Sequence, residues 1–287
     1  MIPAIEASRN GRLVSIASRD QARAHELAAS HSFARVAASY EAVLNDPEVD
    51  AVYIPLVNSL HREWTLRALD AGKHVLCEKP LAMNAAEAED MAAAAQRSGR
   101  HLMEAFMYRF HPRTRRFVEG ARNALYVQAR FGFTLDNPAN YRMQSSLGGG
   151  ALLDVGCYTV SVARWILGEP STVDAHSTTR DEVDMTTSAL LGFPGGQTAA
   201  VWSSFESAEG QELTVVTDDA VHRLETPFSS REEGDQYQMM VESFGDSIID
   251  DRPVAIPLSE SIANTRVLDR IREAAQAVGR SGMSASR

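Results

Sequence analysis

Lys79 is the first residue whose setting suggests chemistry. It follows the apolar run His74-Val75-Leu76-Cys77 inside the sequence Glu78-Lys79-Pro80. In an open α/β sheet the carboxyl end of a strand faces the ligand crevice, and a following proline keeps the lysine out of helical backbone. An ammonium at a crevice mouth can donate hydrogen bonds and stabilise a nearby anion. Standing alone, the tripeptide reads more readily as a solvated loop. Asp154 and Tyr158 form the second pair, four positions apart. If residues 151–167 are helical, the two lie on one face, one turn apart, and can enter one cleft. The bland alternative is an early-turn carboxylate favoured by the helix dipole and a half-buried aromatic.

The elements that must position these residues fall into two kinds. Up to residue 101, apolar β-rich runs at 13–17, 51–56 and 74–77 alternate with Ala-rich helical stretches, the grammar of a parallel sheet. Asp20 is placed to cap a helix reaching Ser30, and residues 61–71 form another that stops at Gly72. Asn84 with Glu87 opens a third helix, which Gly99 ends. The near-continuous apolar strands predict burial on both faces. After residue 120 the pattern alternates: residues 125, 127, 129, 131 and 133 share one face, and 198–205 follows the turn Pro194-Gly195-Gly196. Helices are predicted at 151–167, 236–249 and 259–278.

The 287-residue chain is 44% hydrophobic with a formal charge of −10, which disfavours nucleic acid and anionic membrane as partners. No apolar run has the length of a signal or a bilayer span. Cys77 and Cys157 stand apart without metal-ligand spacing, so neither a disulfide nor a metal site is expected. A cytoplasmic location is the simplest expectation.

Four motifs in register then carry a resemblance: Tyr53-Ile54-Pro55-Leu56-Val57-Asn58 with His61; Glu78-Lys79-Pro80; Leu102-Met103-Glu104 running to His111-Pro112; and Gly148-Gly149-Gly150-Ala151-Leu152-Leu153-Asp154-Val155-Gly156-Cys157-Tyr158. Over essentially its whole length the chain resembles the glucose-fructose oxidoreductase and inositol dehydrogenase family (Gfo/Idh/MocA). It is most similar to the NADP-linked dihydrodiol and xylose dehydrogenases. The resemblance implies a fold of class α/β plus α+β. A Rossmann-type doubly wound sheet over residues 1–110 would precede an open, mostly antiparallel sheet with helices on one face over 111–287, the C-terminal helices packing back. It also implies hydride transfer between a nicotinamide and a hydroxyl-bearing carbon of a polyol, aldose or dihydrodiol, and a homodimer or higher homo-oligomer.

By the same resemblance Lys79 and Tyr158 surround the substrate. A phenol is a poor base at neutral pH unless a cation stabilises its phenolate. Tyr158 is therefore expected as general acid/base, with Lys79 as its electrostatic partner and a substrate hydrogen-bond donor, and Asp154 orienting the substrate or Lys79; direct proton transfer by Lys79 is the other mechanism. Ser18 and Arg19, ending the second strand, favour NADP over NAD, because a forked guanidinium suits a 2′-phosphate. Asn58, His61, Glu78 and Lys79 complete the expected cofactor contacts. Arg109 and His111 either line the site or anchor the junction, and Arg142 and Asp184 are substrate contacts by position alone.

One departure stands out. No G-x-G-x-x-G occurs, and Gly148-Gly149-Gly150 opens the wrong helix for one. The chain is therefore expected to be N-terminally truncated, lacking the first strand and glycine turn, with residues 13–17 and 51–56 as the neighbours left unpaired. That would weaken dinucleotide binding. It also opens a competing reading, a non-catalytic remnant or sugar-binding regulatory subunit.

Overall fold

A computed structural model describes residues 1–284. The first part alternates strands and helices: α1 Ile2–Ala7, β1 Ser15–Ile16, α2 Gln21–Ser30, β2 Arg35–Val36, α3 Tyr40–Leu44, β3 Ala51–Ile54, α4 His61–Asp70, β4 His74–Cys77, α5 Ala85–Ser98 and β5 Leu102–Glu104. The expected caps are present: Asp20 accepts from the Arg23 amide, Asn84 accepts from the Glu87 amide, and Gly99 ends α5 in a left-handed conformation. All strand pairs in this part are parallel.

The parallel strands do not form one sheet. β1 pairs only with β2, while β3, β4 and β5 form a separate three-stranded sheet. The expectation of burial on both faces therefore holds for β4 and β5, whose residues are all buried, but not for β1 or β3, which are largely half-buried. β4 is flanked by strands on both sides and α9 packs against β5, whereas β1 and β3 each keep one edge without a strand among the described residues.

The second part contains α6 Pro112–Gly120, β6 Tyr126–Thr134, α7 Cys157–Leu167, β7 Thr172–Arg180, β8 Val183–Gly192, β9 Thr198–Ser204, β10 Glu206–Val216, β11 Val221–Glu225, α8 Gln236–Ile249 and α9 Leu258–Ser284. Six strands form one sheet in the order β11-β10-β6-β9-β8-β7, antiparallel except for β6 with β9. Its inner face places Val127, Ala129, Leu191, Val201, Leu213 and Val215 in the core beneath α7, where burial of apolar surface supplies most of the stabilisation. The opposite face is open, with Leu190 49% exposed. One stretch, Ser145–Leu167, has the length and hydropathy of a membrane span, but 83% of that window is buried inside the protein.

α9 ties the two parts together. Its Asp269 accepts from the Ala85 amide at the start of α5, and its Arg270 donates to the carbonyls of Pro170 and Ser171 beside β7.

Two glycines bound the segment that carries Asp154 and Tyr158. Gly150 enters it with φ +113°, and a Cβ there would collide with the Asp184 carboxylate. Gly168 ends it with φ +83° and has open space around it. Backbone strain of roughly 1–3 kcal/mol is expected for alanine at either position. Gly150→Ala should destabilise the protein by at least ~1 kcal/mol more than Gly168→Ala in denaturant unfolding. Equal losses would show that Asp184 gives way freely and does not fix the entry to the helix.

Candidate active site

Lys79 and Asp154 meet as the sequence suggested. Lys79 stands at the carboxyl end of β4, and its peptide bond to Pro80 is cis. Asp154 lies in a π-helical turn, Leu152–Gly156, which runs directly into α7 and Tyr158. The helix over 151–167 is thus present but wider at its start than the expected α-helix, and such turns recur at functional sites. The Lys79 ammonium donates to the Asp154 carbonyl at 2.8 Å and to its Oδ1 at 2.9 Å. Arg142, from the short turn Tyr141–Met143, donates its Nε to the other carboxylate oxygen at 2.8 Å.

Burial opposes charge on all three groups, and pairing overcomes it. Desolvation works against the Lys79 ammonium, but the Asp154 carboxylate more than compensates and holds its pKa well above the ordinary lysine value. Desolvation likewise pushes Asp154 up, yet Lys79 and then Arg142 bring it below the usual carboxylate range. The set is ionised near neutral pH.

Tyr158 behaves differently from its expected role. Its ring lies under the Lys79 ammonium, with Nζ 5.1 Å from the ring centroid, but its hydroxyl donates to the Met107 sulfur at 3.5 Å. Phe106, Tyr108, Phe131 and Phe228 surround the ring. Burial drives its pKa well above 10, and the opposing pull of Lys79 does not compensate. A lowered phenol was the premise for a tyrosine base. The opposite shift is found.

The remaining expected residues divide. Glu78 accepts from the Tyr53 hydroxyl at 2.5 Å and from the Lys79 amide at 3.2 Å, so it braces the turn that carries the lysine. Ser18 accepts from the Asp20 amide, and Arg19 is exposed beyond the end of β1 with no partner among the described residues. Asn58 is buried and donates to the Gly148 carbonyl at 2.8 Å, joining the two parts. His61 is fully buried, both ring nitrogens lie 2.9 Å from the carbonyl oxygens of Pro80 and Leu56, and burial lowers its pKa. It has no ring nitrogen left for a ligand. Arg109 stacks on Trp165 and pairs with Glu260, while His111 bonds the Glu232 carbonyl, so both anchor the junction. Asp184 accepts from the Leu152 amide at 2.6 Å and caps the π-turn from β8. Burial raises its pKa to about 6. Among the described residues no group of acids, histidines or cysteines could hold a metal ion.

Glu104 escaped the sequence reading. It ends β5 and is 1% exposed; one oxygen accepts from the Leu81 amide at 2.8 Å, while the other has no partner. Only its register beside Cys77 in β4 brings it to the Lys79 turn, and pairing register is not legible from one strand.

A strand end of the parallel sheet thus presents a lysine to an aspartate carried by the π-turn that leads into α7. Residues 1–106 match the family described as "Oxidoreductase family, NAD-binding Rossmann fold", and residues 123–221 match the "GFO/IDH/MocA C-terminal domain". The chain belongs to the Gfo/Idh/MocA oxidoreductase family. It is 40% identical to a D-xylose 1-dehydrogenase (NADP(+)) of Haloferax volcanii, over 96% of this chain and 93% of that one. It is 35% identical to the trans-1,2-dihydrobenzene-1,2-diol dehydrogenase of Xenopus laevis, over 69% and 62% respectively. The aldose-aldose oxidoreductase of Caulobacter crescentus, solved with glycerol, superposes with a TM-score of 0.88 at 26% identity, covering 96% of this chain and 93% of that one.

Burial raises Glu104 to about 7, a rise that the nearby Ser261 hydroxyl and the hydrogen bond from the Leu81 amide only partly offset. Because the folded pKa lies above the unfolded one, the folded state holds the extra proton between about pH 4.5 and 7. Its contribution to stability is complete below that window and is lost as pH rises through it. A rise of this size corresponds to on the order of 3 kcal/mol. Glu104→Gln should flatten the decline in unfolding free energy between pH 5 and 8. An unchanged slope in urea titrations would show that Glu104 is not the titrating group.

Proposed function

We propose that the protein is an NADP-dependent oxidoreductase that moves hydride between the nicotinamide and the hydroxyl-bearing carbon of an aldose, cyclic polyol or dihydrodiol. In this reading Lys79 exchanges the proton at the substrate oxygen. The observation that carries it is the lysine's environment: two of its three N–H groups are fixed on Asp154, leaving one donor, and 12% of the side chain remains accessible. D-xylose and trans-1,2-dihydrobenzene-1,2-diol, named for the relatives, both carry hydroxyls on adjacent carbons.

The residues fit the two ends of the cofactor. Ser18 and the unpartnered Arg19 suit a ribose 2′-phosphate, and the strand end that bears Glu78 and Lys79 suits the nicotinamide side. A glycine-rich turn for the pyrophosphate does not occur in the sequence. When bound, the nicotinamide supplies or accepts the hydride. Lys79, protonated at neutral pH, gives a proton to the carbonyl oxygen of the substrate as that oxygen gains charge. Asp154 holds the ammonium in place and shares its charge with Arg142. Tyr158 contributes its ring face beneath the ammonium, a cation–π contact, and walls the site with aromatic surface. In the alcohol-oxidising direction the lysine must first lose its proton, so that direction gains with rising pH.

Residues 1–110 would hold the cofactor and 111–287 the substrate. The open face of the six-stranded sheet suits pairing with a second copy, and a cytoplasmic setting matches two free, buried cysteines.

Turnover of D-xylose with NADP tests the roles. Lys79→Met should lower kcat by ~100-fold or more, while Tyr158→Phe should lower it by less than ~10-fold. A loss in Tyr158→Phe as large as in Lys79→Met would return the proton to the phenol.

A further inference from the structure

Arg142 is held by its inner edge and its face, while its outer edge is free. Its Nε is bound to Asp154 Oδ2, and its guanidinium lies 4.7 Å from the centroid of the Tyr141 ring. Both Nη nitrogens lack a hydrogen-bond partner among the described residues, and 31% of the side chain is accessible. A guanidinium fixed in this way presents a rigid, always charged pair of donors, with little conformational freedom left to lose on binding. Asp154, for its part, already accepts from a cation at each oxygen.

From this arrangement we infer that Arg142 is a specificity-determining residue, and that its free edge binds the oxygen on the carbon next to the one that reacts. The inference rests on the function proposed above and narrows its substrate class to compounds with vicinal oxygens. Lys79 and Arg142 grip opposite oxygens of one carboxylate, so both cations with their unused donors belong to the same site. Two oxygens on adjacent carbons offer an acceptor to each cation, and an isolated hydroxyl serves only one of them. The free groups on both cations are donors only, so they select acceptor oxygens, and each hydrogen bond to a charged donor is among the stronger kinds. A substrate lacking the second oxygen would leave the guanidinium edge without a partner after water is excluded, which is how a polar site rejects a deoxy analogue.

The experiment compares D-xylose with 2-deoxy-D-xylose as substrates for the full chain with NADP, in the unsubstituted protein and in Arg142→Gln. The unsubstituted protein should prefer xylose by tenfold or more in kcat/KM. In Arg142→Gln both substrates will turn over more slowly, because Asp154 loses a partner, but the preference should shrink to within about threefold, mostly through a higher KM for xylose. Misfolding or a displaced Asp154 would depress both substrates alike and leave the ratio intact, which overturns the inference while sparing the proposed function. The absence of any preference in the unsubstituted protein also overturns it. No turnover of either sugar by the unsubstituted protein would remove these aldoses from the proposed function and overturn this inference as stated for them.

Discussion

A single buried carboxylate organises the site. Asp154, with a side chain 7% accessible, receives an ammonium on one oxygen and a guanidinium on the other. Removing such a group from water costs several kcal/mol, and only close pairing with further hydrogen bonds offsets that cost. The three partners come from three places in the chain: the end of β4, the turn before the glycine run, and the start of α7. The pairing therefore fixes the angle between the parallel sheet and the helix of the second part. It also fixes which way the lysine points.

The rest of the fold steadies that carboxylate. Asp184 caps the π-turn through the Leu152 amide, and Asn264 of α9 donates to the Cys157 carbonyl at its far end. Glu78, Glu104 and His61 brace the Lys79-Pro80-Leu81 turn by separate contacts to the Lys79 amide, the Leu81 amide and the Pro80 carbonyl. These polar groups sit where water is excluded, and a hydrogen bond missing there is more costly than one lost at the surface. Wide separation in sequence with convergence in space is what a two-part enzyme requires, since neither part holds both Lys79 and Asp154.

How much of this was legible in the sequence depends on the range of the interaction. Helix caps at Asp20, Asn84 and Gly99 were readable because a cap acts within one turn. The inner-face residues of β6 followed from periodicity, whereas a common site for Lys79 and the helix bearing Asp154 came only from the family resemblance. The split of the parallel sheet followed from the absent glycine turn. Tyr158 went astray because its spacing from Asp154 puts it on the right face without saying where the hydroxyl ends. The aromatic residues that surround it come from three separate segments. Arg142 was visible only as a candidate substrate contact by position, since nothing local marks the residue whose Nε will reach a carboxylate twelve positions on. His61 looked like a ligand contact by position, and only the tertiary fold reveals the two carbonyls that enclose its ring.

The central claim is that Asp154 keeps Lys79 charged and oriented despite burial. A titration of the Lys79 ammonium by nitrogen-15 NMR, in the unsubstituted protein and in Asp154→Asn, tests it without depending on substrate or turnover. The account predicts that the ammonium stays protonated above the ordinary lysine range in the first and titrates at clearly lower pH in the second, where desolvation is no longer opposed. The same titration midpoint in both proteins would contradict it.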